Sequence, residues 1–196
     1  KLIYSATSAS LGNNGNDKNL SPYAFTKSKN LELLENLRKW FNFKFEVIYF
    51  YNVYGPGQIE TGDMATVVGI FEYQYKKKKP LTIVKPGTQT RRFTHIFDTI
   101  NTCIEAWKKN KCHHYSISHK KSYSIKELAK MFKTRVIYVK PRSGERYASA
   151  LTKISNNRRI IAKYGKIDLK GYVTSFIKSK NYENKKFTKV HKKKRS

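Results

Sequence analysis

The chain has 196 residues, 39% of them hydrophobic, enough for one domain with a real core or for a domain and a smaller lobe. Its 41 Lys and Arg against 13 Asp and Glu give a net charge of +28. No RNA-binding aromatic signature, zinc-ligand spacing or helix-turn-helix pattern accompanies that charge, which argues against a dedicated nucleic-acid binder. No apolar run approaches the ~20 residues of a membrane span. Two cysteines, Cys103 and Cys112, are too few for a disulfide framework and suit a helix and a loop in a reducing cytosol.

Lys1 to Tyr4 reads as a buried strand that runs into the small and hydroxyl residues SATSAS. LGNNGNDKN is a loop by composition. Ser21 can cap a helix with Pro22 at its first position, where a missing N–H costs nothing. Leu31, Leu34, Leu37 and Phe41 then recur at helical spacing as one apolar stripe. Phe45 to Tyr51 is β-branched and aromatic, hence a strand, and the turn-rich NVYGPGQ follows it. A helix over Ala65 to Tyr75 ends in Lys76 to Lys79, where the helix dipole favours cations. Leu81 to Val84 is a strand and KPGTQT a turn. Asp98 can cap a helix to about Lys109, and HYSIS is a short strand. Ser124 and Glu127 form a capping box for a helix to about Phe132. RVIYV is a strand, and two short helical segments are expected after Ser155 and Asp168. The last stretch, KKFTKVHKKKRS, is a basic tail expected to be disordered.

Strand and helix alternate throughout, which predicts an α/β fold with a largely parallel sheet. Ligands of such sheets bind outside the carboxyl ends of the strands. Two loops sit at such ends, SATSAS and NVYGPGQ, and the helix between them carries Tyr23 and Lys27 one turn apart. The Tyr-x-x-x-Lys spacing alone proves nothing: four pairs occur, against about two expected by chance in so lysine-rich a chain. Tyr73/Lys77, Tyr75/Lys79 and Tyr182/Lys186 lack the setting that Tyr23/Lys27 has. Cys112, His113 and His114 adjoin one another, but neighbours on a strand point to opposite faces and no fourth ligand is evident, so no metal site is expected.

Five blocks occur in a specific order: a strand ending in YSAT, the helix opened by SPYAFTK, a strand running into YNVYGPGQ, then TQTRRFTHIFD, and more weakly RSGERYASALTK. Together they resemble the extended short-chain dehydrogenase/reductase family, in its branch of NAD-dependent sugar-nucleotide epimerases and dehydratases. The resemblance runs from Lys1 to about Phe176. It implies the C-terminal portion of a Rossmann-like parallel sheet plus a small α/β substrate-binding lobe. The family's N-terminal glycine-rich turn, which receives the cofactor pyrophosphate, has no counterpart here. The expected organisation is the end of the dinucleotide fold over residues 1–60 and a substrate lobe over 61–180, from which a segment at about 90–110 returns to the main fold. The basic tail occupies 181–196.

The resemblance implies NAD as cofactor, a nucleotide sugar as substrate and a homodimer as assembly. By that resemblance Thr7, Tyr23 and Lys27 are catalytic. A free phenol titrates near ~10, and an ammonium beside it favours the phenolate a base must become. Ser5, Phe50 and Val53 join Tyr23 and Lys27 around the cofactor, and Asn52, Arg91 and Arg142 hold the substrate, the arginines gripping its diphosphate. Ser8 and Ala9 stand where dehydratases of the branch carry an acid, and Gly57 stands where 3,5-epimerases carry a histidine. The implied reaction is therefore epimerisation, most simply of a UDP-hexose at C4, through transient oxidation to a keto sugar and re-reduction. Arg92 and Ala150 replace residues that are acidic in the family. A related dehydrogenase or reductase, and a catalytically incomplete basic binding module, are the alternatives.

Overall fold

A computed structural model describes residues 1–8, 19, 21–140 and 160–180. The main sheet has four parallel strands: β1 (Leu2–Thr7), β2 (Phe45–Phe50), β7 (His114–His119) and β10 (Ile160–Gly165), in the order β1-β2-β7-β10. The register sets Thr7 beside Phe50 and Phe50 beside Ile117, so the carboxyl ends of three strands share one edge of the sheet. Two strands depart from the expectation. β7 and β10 both lie in the main sheet, beyond the returning segment foreseen at 90–110, and Ile160–Gly165 falls in a stretch expected to hold a helix. Pairing with β7 on an open sheet edge overrides weak local preference there.

Among the described residues, each face of the sheet is covered by one helix. The helix α1 (Pro22–Phe41) starts as the sequence predicts: the Ser21 hydroxyl accepts from the Ala24 amide at 3.2 Å, and Pro22 follows. Asn42 ends it in the left-handed conformation, at φ 51°. Leu31 and Leu34 pack on Ala6, Phe45, Val47, Tyr49 and Tyr51. Phe41 does not join them and is 72% exposed. A 20-residue helix is about 30 Å long and a six-residue strand about 20 Å, so the last turn overhangs the sheet.

On the other face, α3 (Ile96–Lys109) buries Thr99, Thr102 and Ala106, and Cys103 and Ala106 lie against Ile48, Tyr115 and Ile117. Its N-cap is His95, whose ring nitrogen accepts from the Phe97 amide, not the expected Asp98. The Asp98 carboxylate instead accepts from the amides of Lys166 and Ile167, both at 3.1 Å. A carboxylate in the first turn reaches across to a neighbouring chain segment when the cap position itself already has an acceptor.

The remaining elements form a second, smaller core. Here α2 (Val67–Lys76), β4 (Leu81–Val84), α4 (Ile125–Met131), β9 (Val136–Val139) and a helix α5 at 169–180 bring together Val68, Phe71, Leu81, Leu128, Phe132 and Val173. The Ser124–Glu127 capping box opens α4 as expected. Three short ladders stitch the lobe to the sheet and to itself: β3 (Val53–Tyr54) with β6 (Thr94–His95), β4 with β9, and β5 (Thr90–Arg92) with β8 (Ser122–Ser124). The buried Thr94 hydroxyl lies 2.9 Å from the Tyr51 carbonyl and 3.1 Å from that of Ile117, so it ties the lobe to the ends of β2 and β7. No helix among the described residues is long and apolar enough to cross a membrane.

Candidate active site

The carboxyl ends of β1 and β2 and the first turns of α1 meet at one mouth. Lys27, one turn into α1, reaches back over β1: its ammonium donates to the Ser5 carbonyl at 2.9 Å and to the Ser5 hydroxyl at 3.3 Å. Tyr23 sits one turn earlier and is 50% exposed, so its phenol stands at the rim. Ala24, between them, is buried, and its small side chain lets the helix lie close to the sheet. Thr7 is buried at the end of β1, paired in register with Phe50. Thus Ser5, Thr7 and Phe50 lie towards the strand ends, with Lys27 bonded to Ser5 and Tyr23 one helical turn before it.

Tyr4 was missed by sequence reasoning and belongs to the same group. Its hydroxyl donates to the Lys27 backbone carbonyl at 2.7 Å, and the Lys27 ammonium lies 5.4 Å from its ring centroid. Burial pushes the Tyr4 phenol up, a hydrogen bond from the Asn30 side chain opposes this, and the Tyr23 oxygen nearby adds to the rise. Only the register of α1 over β1 reveals this role; in the sequence Tyr4 is one more apolar strand residue.

Beyond β2 the chain turns sharply. Asn52 adopts φ 39°, which asparagine tolerates better than most residues. Its amide donates to the Arg92 carbonyl at 2.7 Å, and its own carbonyl accepts from the Thr94 amide at 3.4 Å. Val53 then pairs with Thr94 in the β3–β6 ladder. Gly55 follows at φ 144°, and a Cβ there would stand 2.6 Å from the Ile96 side chain, so only glycine lets the YGP turn close on α3. Asn52 therefore fastens the mouth of the sheet to β5, where Arg91 is half-buried and donates to the Thr90 carbonyl at 2.9 Å. Next to it, Gln89 is buried with its Oε1 lacking a hydrogen-bond partner among the described residues, a polar group that sequence reasoning left out. Arg142, Ala150 and the basic tail lie outside the described residues.

Cys112, His113 and His114 serve the scaffold. The Glu46 carboxylate, 1% exposed as a residue, accepts from the amides of Cys112 and His113 at 2.9 and 2.8 Å. The His114 ring bridges the Tyr49 hydroxyl at 3.2 Å and the Glu35 carboxylate at 3.0 Å. Tyr73 and Lys77 meet at the end of α2, with the Lys77 ammonium over the Tyr73 ring.

A parallel sheet flanked on both faces, with a hydroxyl, a phenol and an ammonium at its carboxyl edge and a smaller lobe beyond, defines a Rossmann-like α/β protein with its polar site at the strand ends. Known proteins agree. The NAD dependent epimerase/dehydratase family model matches residues 1–118, and the chain belongs to that family. An uncharacterized UDP-glucose epimerase of Bacillus subtilis, YtcB, is 34% identical over 98 residues, covering 50% of this chain and 30% of that protein. The UDP-glucuronic acid 4-epimerase of Bacillus cereus superposes with a TM-score of 0.74 at 26% identity, covering 90% of this chain and 61% of its own. The dTDP-glucose 4,6-dehydratase DesIV of Streptomyces venezuelae reaches 0.75 at 15% identity, covering 94% of this chain and 61% of its own, a likeness of fold alone. The chain thus spans less than two thirds of the length of these relatives.

Proposed function

We propose that this chain supplies the catalytic pair and the substrate lobe of an NAD-dependent nucleotide-sugar epimerase, acting most simply at C4 of a UDP-hexose. The observation that carries the reading is the Lys27 ammonium bonded to Ser5 at the carboxyl end of β1, one helical turn from the half-exposed Tyr23 phenol. The names of the Bacillus relatives, a UDP-glucose epimerase and a UDP-glucuronic acid 4-epimerase, support the substrate class.

The residues present fit the nicotinamide-ribose end of the cofactor. Two donors of the Lys27 ammonium go to Ser5, and an ammonium carries a third that suits a ribose hydroxyl. Phe50, at the end of β2, and Val53, at the start of β3, are assigned to the nicotinamide side by the family resemblance. No glycine-rich phosphate turn stands among these residues, so the pyrophosphate must be held by a segment other than the one described. Bound there, NAD would supply the hydride acceptor and donor that transient oxidation and re-reduction of the sugar carbon need.

The chain's own residues handle the proton and the orientation. Tyr23 accepts the proton of the sugar hydroxyl and later gives it back. Lys27, held by Ser5, offsets the negative charge of the Tyr23 phenolate, which Tyr23 carries before it takes the proton and again after it gives it back. The Thr7 hydroxyl bridges the sugar oxygen and Tyr23. Arg91, with Arg142, grips the diphosphate through planar forks, and Asn52 sets the distance between that grip and the sheet. The acid that a 4,6-dehydratase needs after the threonine is absent, since Ser8 and Ala9 follow Thr7, which favours epimerisation over dehydration. A second copy is expected to pack on α1, whose outward face exposes Phe25, Leu33 and Trp40.

The test is turnover. Expressed with the glycine-rich segment that its family carries, the protein should interconvert UDP-glucose and UDP-galactose with catalytic NAD. Tyr23→Phe should lower kcat by roughly 10²–10⁴-fold while leaving substrate binding intact. Unchanged turnover in that variant, or a 4-keto-6-deoxy product from the parent, would sink the proposal.

A further inference from the structure

We propose that Tyr4 is a positioning residue for Lys27, holding the lysine from both ends so that its ammonium is delivered to the strand end before any ligand arrives. The inference rests on reading Lys27 as the lysine of the catalytic pair. A lysine has a long flexible stem and an ammonium that water solvates well, so its natural tendency on a helix surface is to wander. Four contacts oppose this at Lys27. The Tyr4 hydroxyl donates to the Lys27 backbone carbonyl at 2.7 Å, which pins the helix turn that carries the side chain. The face of the same ring lies 5.4 Å from the ammonium, within the range of cation–π attraction. The ammonium then donates to the carbonyl and the hydroxyl of Ser5, the next residue along the strand. Residues 4 and 5 of one strand thus form a cradle: ring beneath, oxygens at the end.

The hydroxyl of Tyr4 is itself fixed in direction. Its bond to the Lys27 carbonyl aims it at α1, where the Asn30 side chain also lies near enough to favour the phenolate. Asn30 follows Lys27 by three positions, which places it on the same side of the helix. A tyrosine is the residue type that can do all of this at once, offering an aromatic face to a cation and a polar tip to the backbone. Phenylalanine would keep the face and lose the tip; leucine would fill the space and lose both.

The experiment reads Lys27 directly and needs no turnover, so its failure and failure of the epimerase reading are told apart. The full chain is labelled with ¹⁵N and ¹³C, and the Lys27 ammonium signal is assigned by its loss in Lys27→Arg. At mildly acidic pH and low temperature a hydrogen-bonded ammonium exchanges slowly enough to be seen. Tyr4→Phe is expected to shift the Lys27 carbonyl carbon, because its hydrogen bond is gone, and to keep the ammonium signal. Tyr4→Leu is expected to lose the ammonium signal and to raise acetylation of Lys27 several-fold, measured by peptide mass mapping against the other lysines. The amide signals of β2 and β7 should stay in place in both variants. A Lys27 signal and acetylation rate unchanged in Tyr4→Leu would overturn the proposal, since a space-filling role predicts just that. Should Tyr4→Leu not fold, an unshifted Lys27 carbonyl in Tyr4→Phe would overturn it on its own.

Discussion

The Asn52 side chain makes the connection between the two halves of the site, and its contribution can be worked out from two terms. The first is the bond from its amide to the Arg92 carbonyl at 2.7 Å, worth about 1 kcal/mol net for a neutral pair. The second is the backbone: at φ 39° a residue with an ordinary Cβ pays about 1–2 kcal/mol that asparagine largely avoids. Asn52→Ala loses both and should destabilise the chain by about 2 kcal/mol, or somewhat more. Asn52→Asp separates the terms. The backbone preference is kept, but near neutral pH a carboxylate cannot donate and instead faces a carbonyl oxygen, so about 1–3 kcal/mol is lost. On acidification the introduced carboxyl gains a proton and can donate to Arg92, and the deficit relative to the parent at the same pH should shrink. Urea unfolding followed by far-ultraviolet circular dichroism gives each difference. If Asn52→Asp matched the parent near neutral pH, or showed no recovery in acid, the bond to Arg92 would not be holding the lobe to the sheet.

Four further outcomes follow from the same geometry. Burial raises the Asp168 carboxyl, but the Gly171 amide, the Tyr123 hydroxyl and neighbouring groups outweigh it, and the folded value lies below 3.8. Its stabilising contribution is therefore complete above about 3.8 and disappears as pH falls through the folded value; Asp168→Asn should flatten the acid limb of a stability–pH curve. Burial first, and Asp168 second, push Tyr123 from 10.0 up to about 12, so its contribution is complete below about 10 and is lost as pH rises through about 12; Tyr123→Phe should remove that alkaline loss. Gly69→Ala, favourable by helix propensity, should instead lower the melting temperature, at a cost of about 1–3 kcal/mol, because its Cβ would strike the Ile59 carbonyl. Glu46→Ala should cost about 2–6 kcal/mol in urea unfolding, since it strands the amides of Cys112 and His113 beneath a covered surface.

What the sequence discloses is local chemistry. Ser21 with Pro22, and Ser124 with Glu127, carry their meaning within a few residues, and both helices start where those signals stand. The pair Tyr23 and Lys27 is legible because two strand-end loops flank it, and the structure does bond Lys27 to the end of β1. Long-range pairing is what the sequence hides. His95 displaces Asp98 as a cap because Lys166 and Ile167, far along the chain, claim the carboxylate. Ile160–Gly165 is a strand because β7 offers it an edge. Tyr4 and Gln89 matter only once α1 lies over β1 and once β5 closes the lobe.

The charge of +28 bears on the alternative that this is a basic binding module, and the placement of the few carboxylates argues against it. A chain selected for a cationic surface would keep its acids off that surface, but nothing would oblige the survivors to be structural. Here six of the ten described ones are. Glu46 and Asp98 each hold two backbone amides, Asp168 holds an amide and a tyrosine, and Glu127 closes a capping box. Glu35 ties α1 to His114, and Glu105 joins Lys109 on its own helix to Lys163 on β10. Removing Glu46, Asp98 or Asp168 would leave part-buried donors unpaired, which costs far more than a lost surface pair. Excess lysine on solvated faces costs little by comparison, so the imbalance can arise without any anionic partner. The same economy leaves Lys27 bonded to Ser5 at the sheet mouth, a contact that a surface built only to attract anions would have no physical reason to maintain.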